Sequence, residues 1–462
     1  MEQLRGDILV VGLGVSGEAA ATYCARRAAE GDPVRVTVID SDDSEGLRKR
    51  RQRLRALGVD VHLGTSHVSG TYSLAIASPG IPPHAALMGE VRQAVPEVIS
   101  EIEFAYRRST TPWLAVTGTN GKTTVTSLLG HLLTFAGVSA TVVGNIGTPA
   151  ISAVGEAGPA GALVAEVSSF QLALTERFHP RVAVLLNITP DHLDWHGDIR
   201  AYALDKARIF EQQDADDTAV IDADDPGSAR LIATVRSSGV RVVEVSTGRV
   251  PDGGAGLSAD DMLTLDTASG VVTLIHRDEL LIRGGHNVSN ALAAAAAAHA
   301  FGAGSDSISA GLRTFEPIEH RLEPVGIVSG VEYFNDSKAT NPDAAMRALG
   351  AFEGRSVVML LGGRNKGSRF LDLGRAMAEA GALAVVFGEA GAEIADDLAA
   401  NGVEFERAGG LADALHTAAS FANPGTAVLL SPACASFDEF SDYADRGRTF
   451  RRLVHEIDEG RA

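Results

Sequence analysis

The stretch "VTGTNGKTT", residues 116–124, carries the residue types that grip a nucleotide's phosphates. Successive main-chain N–H groups through Gly118, Thr119, Asn120 and Gly121 can form a nest for phosphate oxygens. A helix beginning near Lys122 adds its positive N-terminal end. The Lys122 ammonium reaches the outer phosphates, and Thr123, with Thr124 beside it, offers a hydroxyl to Mg²⁺. The full pattern G-x-x-x-x-G-K-[ST] starts with glycine, where this chain has Val116. The loop is shortened, yet no phosphate-binding group is lost. The competing reading is a ligand-free glycine turn between strand and helix.

Only five of the 40 basic residues are lysines: Lys49, Lys122, Lys206, Lys338 and Lys366. Arginine supplies most of the chain's cations, so a retained lysine points to a task that a guanidinium cannot perform. Lys49, in "LRKRRQRLR", belongs to a solvated helix face. Lys206, in "YALDKARIF", reads by periodicity as a solvated helical cation, and its rarity alone marks it out. Glu166 ends the apolar run "ALVAE", as a structural acid or a metal ligand. "NITPDHLDWHGD" concentrates Asp191, His192, Asp194 and His196; the i,i+4 histidines have the spacing of a helical zinc pair. Zinc is disfavoured because cysteine is absent here and the partner is a triphosphate, while an imidazole is atypical for Mg²⁺. The residues leave this metal open. "NDSKATN", "LGGRNKG" and "SPACASFDEFSDY" each follow an apolar run. They are strand-end loops that either share one anionic site or are exposed turns.

These groups must be positioned by elements. "DILVVGLGVSGEAAATYC" is strand, glycine turn, helix, and matches G-x-G-x-x-G; Asp40, ending the next strand, occupies the place of a ribose-binding acid. Alone this suggests a nicotinamide cofactor. With a phosphate loop in the following block, another nucleotide becomes the better ligand. Strands alternating with helices predict doubly wound parallel sheets. Boundaries near "AYRRSTTPW" and "FEPIEHRLE" divide the chain into three α/β domains, 1–105, 106–317 and 318–462, with a β-rich excursion from about 241 to 283.

A chain of 462 residues is too long for one core. The formal charge of −19 argues against a nucleic-acid or anionic-membrane partner. Cys24 and Cys434 form no metal-spaced pair, which suits a reduced, cytoplasmic protein. "MEQLRGDILVVGLG" carries acids and runs straight into a strand, unlike a secretory signal. The alanine-rich run from Ala291 is too short for a membrane span and includes His299.

"GTNGKTT", "EVSSFQL", "NITPDHLD", "GGHNVSNALAA", "EHRLE", "NDSKATN" and "SPACASFDEF", in this order, resemble the motifs of the Mur ligases of bacterial cell-wall synthesis. The last two, with "GLGVSG" and "ASPGIP", resemble the branch that adds D-glutamate. The resemblance covers nearly the whole chain. It implies a Rossmann-like first domain for the UDP end of a sugar nucleotide, a central P-loop ATPase-type domain, and a C-terminal dinucleotide-fold domain that brings in the amino acid. The implied reactants are ATP, UDP-N-acetylmuramoyl-L-alanine and D-glutamate, joined through an acyl phosphate and a tetrahedral intermediate with two Mg²⁺ ions. A monomer is expected.

By the same resemblance, Lys122 and the loop Gly118–Thr124 would hold the phosphates. Thr123, Glu166 and His192 would ligate metal, and Lys206 would be carried as a carbamate. Asn287, Arg321, Asp336 and Lys338 would lie on the ATP side, Asp336 at the ribose and Lys338 at the γ-phosphate. Lys122, His192, Lys206 and Lys338 would be the catalytic set. Ser16, Ser78, Gly80, Asn145 and Ser168 would contact the sugar nucleotide. Thr340, Lys366, Ser436 and Tyr443 would bind D-glutamate. Two departures stand out: Tyr443 where other members have Phe, and Ser41-Asp42-Asp43 where some place an Arg near the uracil. The rival readings are a folylpolyglutamate synthase-like ligase, an NAD-dependent oxidoreductase and a nucleotide sensor. The oxidoreductase leaves Lys122-Thr123 unexplained, and the sensor leaves the lysine pattern unexplained.

Overall fold

A computed structural model describes residues 3–155 and 158–460. The chain forms two compact units: Met1–His276 with Ser289–Leu312, and Arg277–Val288 with Arg313–Ala462. Among the described residues there are three sheets, and the fold is multidomain α/β.

The first unit holds two sheets. One is fully parallel, in the order Asp60–Leu63, Val34–Asp40, Gly6–Val11, Leu74–Ala77, Val98–Ser100. The turn after Gly6–Val11 requires its glycines. A Cβ on Gly17 would lie 2.0 Å from the Gly12 carbonyl oxygen, so strand and helix Val15–Ala29 can approach only without it.

The second sheet centres on Trp113–Thr117, flanked by Ala162–Glu166 and Val182–Leu185, then Thr218–Asp222. All four strands are buried throughout, as expected of parallel strands covered on both faces. The β-rich excursion is the antiparallel edge: Ala255–Leu257, Met262–Thr267 and Gly270–His276. Ile102, Phe104, Trp113, Ile151 and Phe178 join the cores of both sheets. Trp113 meets Phe178 edge-to-face at 5.6 Å.

Side-chain caps fix the helices that carry candidate site residues. Asp198 Oδ1 accepts from Arg200 N and Ala201 N at 2.8 Å, starting helix Ile199–Ala207, which presents Lys206. Ser168 and Gln171 form a capping box at Ser169–Leu172, just beyond Glu166.

The second unit has one sheet, ordered Glu323–Val328, Val331–Asn335, Ala427–Ala433, Val357–Gly362, Leu383–Phe387, Phe405–Arg407. Its first pairing is antiparallel and the others are parallel. No helix of the described residues is long and apolar enough to cross a membrane.

Candidate functional site

In the first unit the phosphate loop spans strand Trp113–Thr117 and helix Lys122–Phe135. Gly121 has φ 86°, and a Cβ there would lie 2.6 Å from Asn290 Oδ1, so glycine is required on two counts. The neighbouring strand end fixes the loop. Asn120 N donates to Asn187 Oδ1 at 2.7 Å, and Asn187 Nδ2 returns a bond to Asn120 O at 3.1 Å. Thr119 N donates to Asn187 O, and Thr119 Oγ1 lies 3.1 Å from Tyr202 Oη. The loop is therefore shaped before any ligand arrives.

Two lysines converge on it. Lys122 Nζ donates to Gly118 O and Thr119 O, each at 2.8 Å. Lys206 Nζ also donates to Gly118 O at 2.8 Å. Lys206 is 1% exposed and lies 4.5 Å from the Tyr202 ring centroid. Burial, then the Lys122 charge, drive its pKa well below the usual lysine range, against the pull of Asp191, Glu166 and Asp205. The solvated cation expected from periodicity is thus corrected: the helix turns this face inward, Tyr202 and Lys206 together.

Glu166 is 3% exposed at its strand end. Thr123 Oγ1 donates to Glu166 Oε2 at 2.7 Å, and Asn145 Nδ2 donates to Oε1 at 2.8 Å. Glu166, Thr123 and Asn145 are therefore one cluster. His192 occupies a left-handed turn with φ 53°, its ring edge-on to Phe170 at 4.8 Å. His196 is not its metal-binding partner. Its Nδ1 lies 2.8 Å from Asp205 Oδ2 and its Nε2 2.9 Å from Ser169 Oγ, so both ring nitrogens are taken. The Asp194 side chain lies outside the described ones.

The donor set suits a hard cation, since Thr123 and Glu166 offer oxygen at a helix N-terminus. The Lys206 ammonium among them is the misfit, because it repels the ion that Glu166 would attract. Carbamylation reverses that charge, so the residues fit Mg²⁺ once Lys206 is modified.

At the glycine turn, Ser78 Oγ donates to Gly12 O at 3.0 Å, Ser16 is half-buried in the first helical turn, and Gly80 is exposed. Asp40 does not simply await a ribose. Its Oδ2 accepts from Leu13 N at 2.6 Å and its Oδ1 from Asp42 N at 2.9 Å, so it closes the turn itself. Ser168 is the half-buried cap described above.

In the second unit, Asp336 follows strand Val331–Asn335. Ser431 Oγ donates to its Oδ2 at 2.7 Å and Leu322 N to its Oδ1 at 3.3 Å. Burial pushes its pKa up to about 7, against Ser431 and the Arg321 charge. Asn287 Nδ2 donates to Arg283 O at 2.7 Å, and Asn287 and Arg321 line one narrow cavity with Leu281, Pro317, Leu322 and Phe334. Lys338 Nζ stands 3.6 Å over the Tyr443 ring. Thr340 is half-buried, Ser436 is buried and Lys366 is exposed. Main-chain bonds between Arg364 and Ala435, at 2.7 and 3.0 Å, join the Lys366 loop to the Ser436 loop.

Sequence reasoning passed over Arg446, which is 0% exposed. Its Nε donates to Ser337 Oγ at 2.9 Å, its Nη2 to Ser337 O at 2.9 Å and Cys434 O at 3.1 Å, and its Nη1 approaches Gly362 O at 3.5 Å. One guanidinium spans the loops of Lys338, Ser436 and Lys366. A signal was present: Arg446 shares the buried stripe of helix Tyr443–Asp458 with Phe450, Leu453 and Val454, at helical spacing.

The Mur ligase middle domain matches residues 116–298, and the Mur ligase, glutamate ligase domain matches residues 320–434. A UDP-N-acetylmuramoylalanine--D-glutamate ligase from Pelotomaculum thermopropionicum is 42% identical over 99% of this chain and 99% of its own length. One from Frankia casuarinae is 44% identical over 97% and 93%. The crystal structure of MurF from Acinetobacter baumannii superimposes with a TM-score of 0.64 at 17% identity, over 97% of this chain and 93% of that one, a likeness of fold.

Proposed function

The chain belongs to the Mur ligase family, and on that premise we propose that it joins D-glutamate to UDP-N-acetylmuramoyl-L-alanine at the expense of ATP, releasing ADP and phosphate. The observation that carries the reading is the pair of lysines on one carbonyl: Lys122 and Lys206 both donate to Gly118 O at 2.8 Å, beside the Thr123–Glu166 pair. The Lys122 ammonium offers its charge to an anion entering the loop, and the same charge, with burial, favours the neutral form of the Lys206 amine.

The chemistry follows from the charges. A carboxylate resists amines because its oxygen leaves poorly. An oxygen of the L-alanyl carboxylate attacks the γ-phosphorus of ATP, and the bond to ADP breaks. The D-glutamate nitrogen then adds to the acyl carbon, giving a tetrahedral intermediate. That collapses with loss of phosphate, and the amine gives up a proton. Both reactants of the first step are anions, so cations must screen them. Lys122 and the N–H groups of Gly118–Thr124 hold the phosphates, and Lys338 reaches the γ-phosphate. Asn287 and Arg321 lie on the ATP side, and Asp336 takes the ribose. Ser16, Ser78, Gly80, Asn145 and Ser168 take the sugar nucleotide, and Thr340, Lys366, Ser436 and Tyr443 take D-glutamate. Magnesium, as two ions, would supply further charge neutralisation, held by Thr123, Glu166, His192 and carbamylated Lys206.

Burial of Lys206 supports the carbamate. The neutral amine's lone pair forms a bond to the carbon of CO₂, a C=O pair moves to oxygen, and one N–H proton passes to solvent. Each pKa unit of depression raises the neutral fraction of a mostly protonated amine about tenfold. The division into domains 1–105, 106–317 and 318–462, a cytoplasmic location and a monomeric state belong to the same proposal.

The test is phosphate release with UDP-N-acetylmuramoyl-L-alanine, ATP and Mg²⁺, with and without D-glutamate. Release that requires D-glutamate is expected. Release indifferent to it, or faster with L-glutamate, would overturn the assignment.

A further inference from the structure

His196 has no part in the reaction just described, yet its side chain is fully buried and doubly bonded. A carboxylate only accepts, so the ring Nδ1 donates to Asp205 Oδ2 at 2.8 Å, and Nε2 lies 2.9 Å from the Ser169 hydroxyl, which can donate or accept. The ring stacks on Phe170 at 5.4 Å, packs against Trp195 at 4.4 Å and meets Tyr202 edge-on at 5.0 Å. The order Ser–His–Asp is that of a hydrolase triad, but Ser169 is 3% exposed, out of a substrate's reach.

The two partners lie on different elements. Ser169 opens the short helix after strand Ala162–Glu166, and Asp205 precedes Lys206 on helix Ile199–Ala207. The imidazole therefore ties the strand end that presents Glu166 to the helix that presents Lys206. Lys206 itself is held to Gly118 O through its ammonium. Carbamylation replaces the ammonium by an anion, so the helix then needs a second tether.

We propose that His196 is a positioning residue for Lys206, acting through Ser169 and Asp205 to keep the amine beside Glu166 while it passes from ammonium to carbamate. This rests on the carbamate reading above.

The test uses the full chain titrated with ¹³C-labelled bicarbonate, following the carbamate carbon by NMR. The variants are His196→Phe, which keeps the aromatic packing and loses both bonds, and Ser169→Ala, which loses one bond and leaves the charges around Lys206 unchanged. Both are expected to raise the bicarbonate concentration for half-occupancy about tenfold, equivalent to about 1.4 kcal/mol, the scale of one hydrogen bond to a charged group. Nucleotide affinity, set by the phosphate loop, is expected to stay at the parent value. Half-occupancy at the parent concentration in both variants would overturn the inference. A parent protein with no carbamate signal would overturn the carbamate reading and this inference with it.

Discussion

Replacing Arg446 by Met tests whether one buried guanidinium organises the strand-end loops of the second unit. Burial lowers the Arg446 pKa to about 10, so the side chain stays charged at neutral pH. Methionine fills much of the volume but donates nothing. Ser337 O and Cys434 O, bonded to Nη2 at 2.9 and 3.1 Å, then lose this donor inside the protein. A buried acceptor stripped of its partner costs about 1–3 kcal/mol, and two cost about 2–6. Relief of the buried charge's desolvation offsets part of this. The net expectation is a loss of about 2–4 kcal/mol, confined to the second unit.

The measurement must separate the units. Both tryptophans, Trp113 and Trp195, lie in the first, so their fluorescence serves as the internal control. Hydrogen exchange in strands Val331–Asn335, Val357–Gly362 and Ala427–Ala433 reports on the second. Faster exchange there, with an unchanged tryptophan transition, is expected. Arg446→Lys keeps a cation, but an ammonium lacks the planar fork that reaches Ser337 and Cys434 together, so it should restore only part of the protection. Exchange in Arg446→Met within about 0.5 kcal/mol of the parent would refute the reasoning.

Two further outcomes follow from the same charges. Lys206→Arg keeps a cation that cannot form a carbamate, and should lower kcat at least about 100-fold and remove any dependence on bicarbonate; parental turnover in this variant would exclude the carbamate. Asp336, with its folded pKa raised to about 7, holds its proton in the fold at pH values where the unfolded chain has released it. Its contribution is fully present below the unfolded carboxylate pKa and is lost as pH rises through 7, so the parent's unfolding free energy from urea titrations should fall between pH 4 and pH 7 relative to Asp336→Asn, by up to about 4 kcal/mol. Parallel curves for the two proteins would show that Asp336 does not titrate in this way.

The phosphate loop was legible because its chemistry is contiguous: glycines, lysine and threonine follow one another on one strand–helix turn. Glu166 was legible as a charge ending an apolar strand. Lys206 was half-legible, since lysine scarcity marked it while the polar look of "YALDKARIF" pointed outward. The structure buries it with Tyr202, four residues earlier on the same helix face. Asp40 stood where a ribose acid belongs, but its carboxylate is engaged by Leu13 N and Asp42 N. His196 was left open as a metal ligand beside His192, because i,i+4 spacing is visible in a sequence and contacts to Ser169 and Asp205 are not. Lys206, Asp40 and Arg446 share a cause: a side chain whose partners are main-chain groups leaves no residue type at the other end to betray the pair.

The two buried cations, Lys206 and Arg446, make the physical point sharpest. Neither has a salt-bridging carboxylate among the described residues, and both are satisfied by carbonyl oxygens. Burial lowers the pKa of both, with different outcomes. Guanidinium holds its proton even at a pKa of about 10, so Arg446 remains a fixed multi-armed donor and can only be structural. Lysine yields its proton far more readily, and burial beside Lys122 takes Lys206 well below its usual range, which makes a nucleophilic amine out of a surface residue type. Exchanging the two residue types would therefore fail for different reasons. An arginine at 206 would leave a permanent positive charge near Glu166, which under the proposed function would hold a cation. A lysine at 446 would lack the planar fork that reaches Ser337 and Cys434 together, and would hold the three loops only in part.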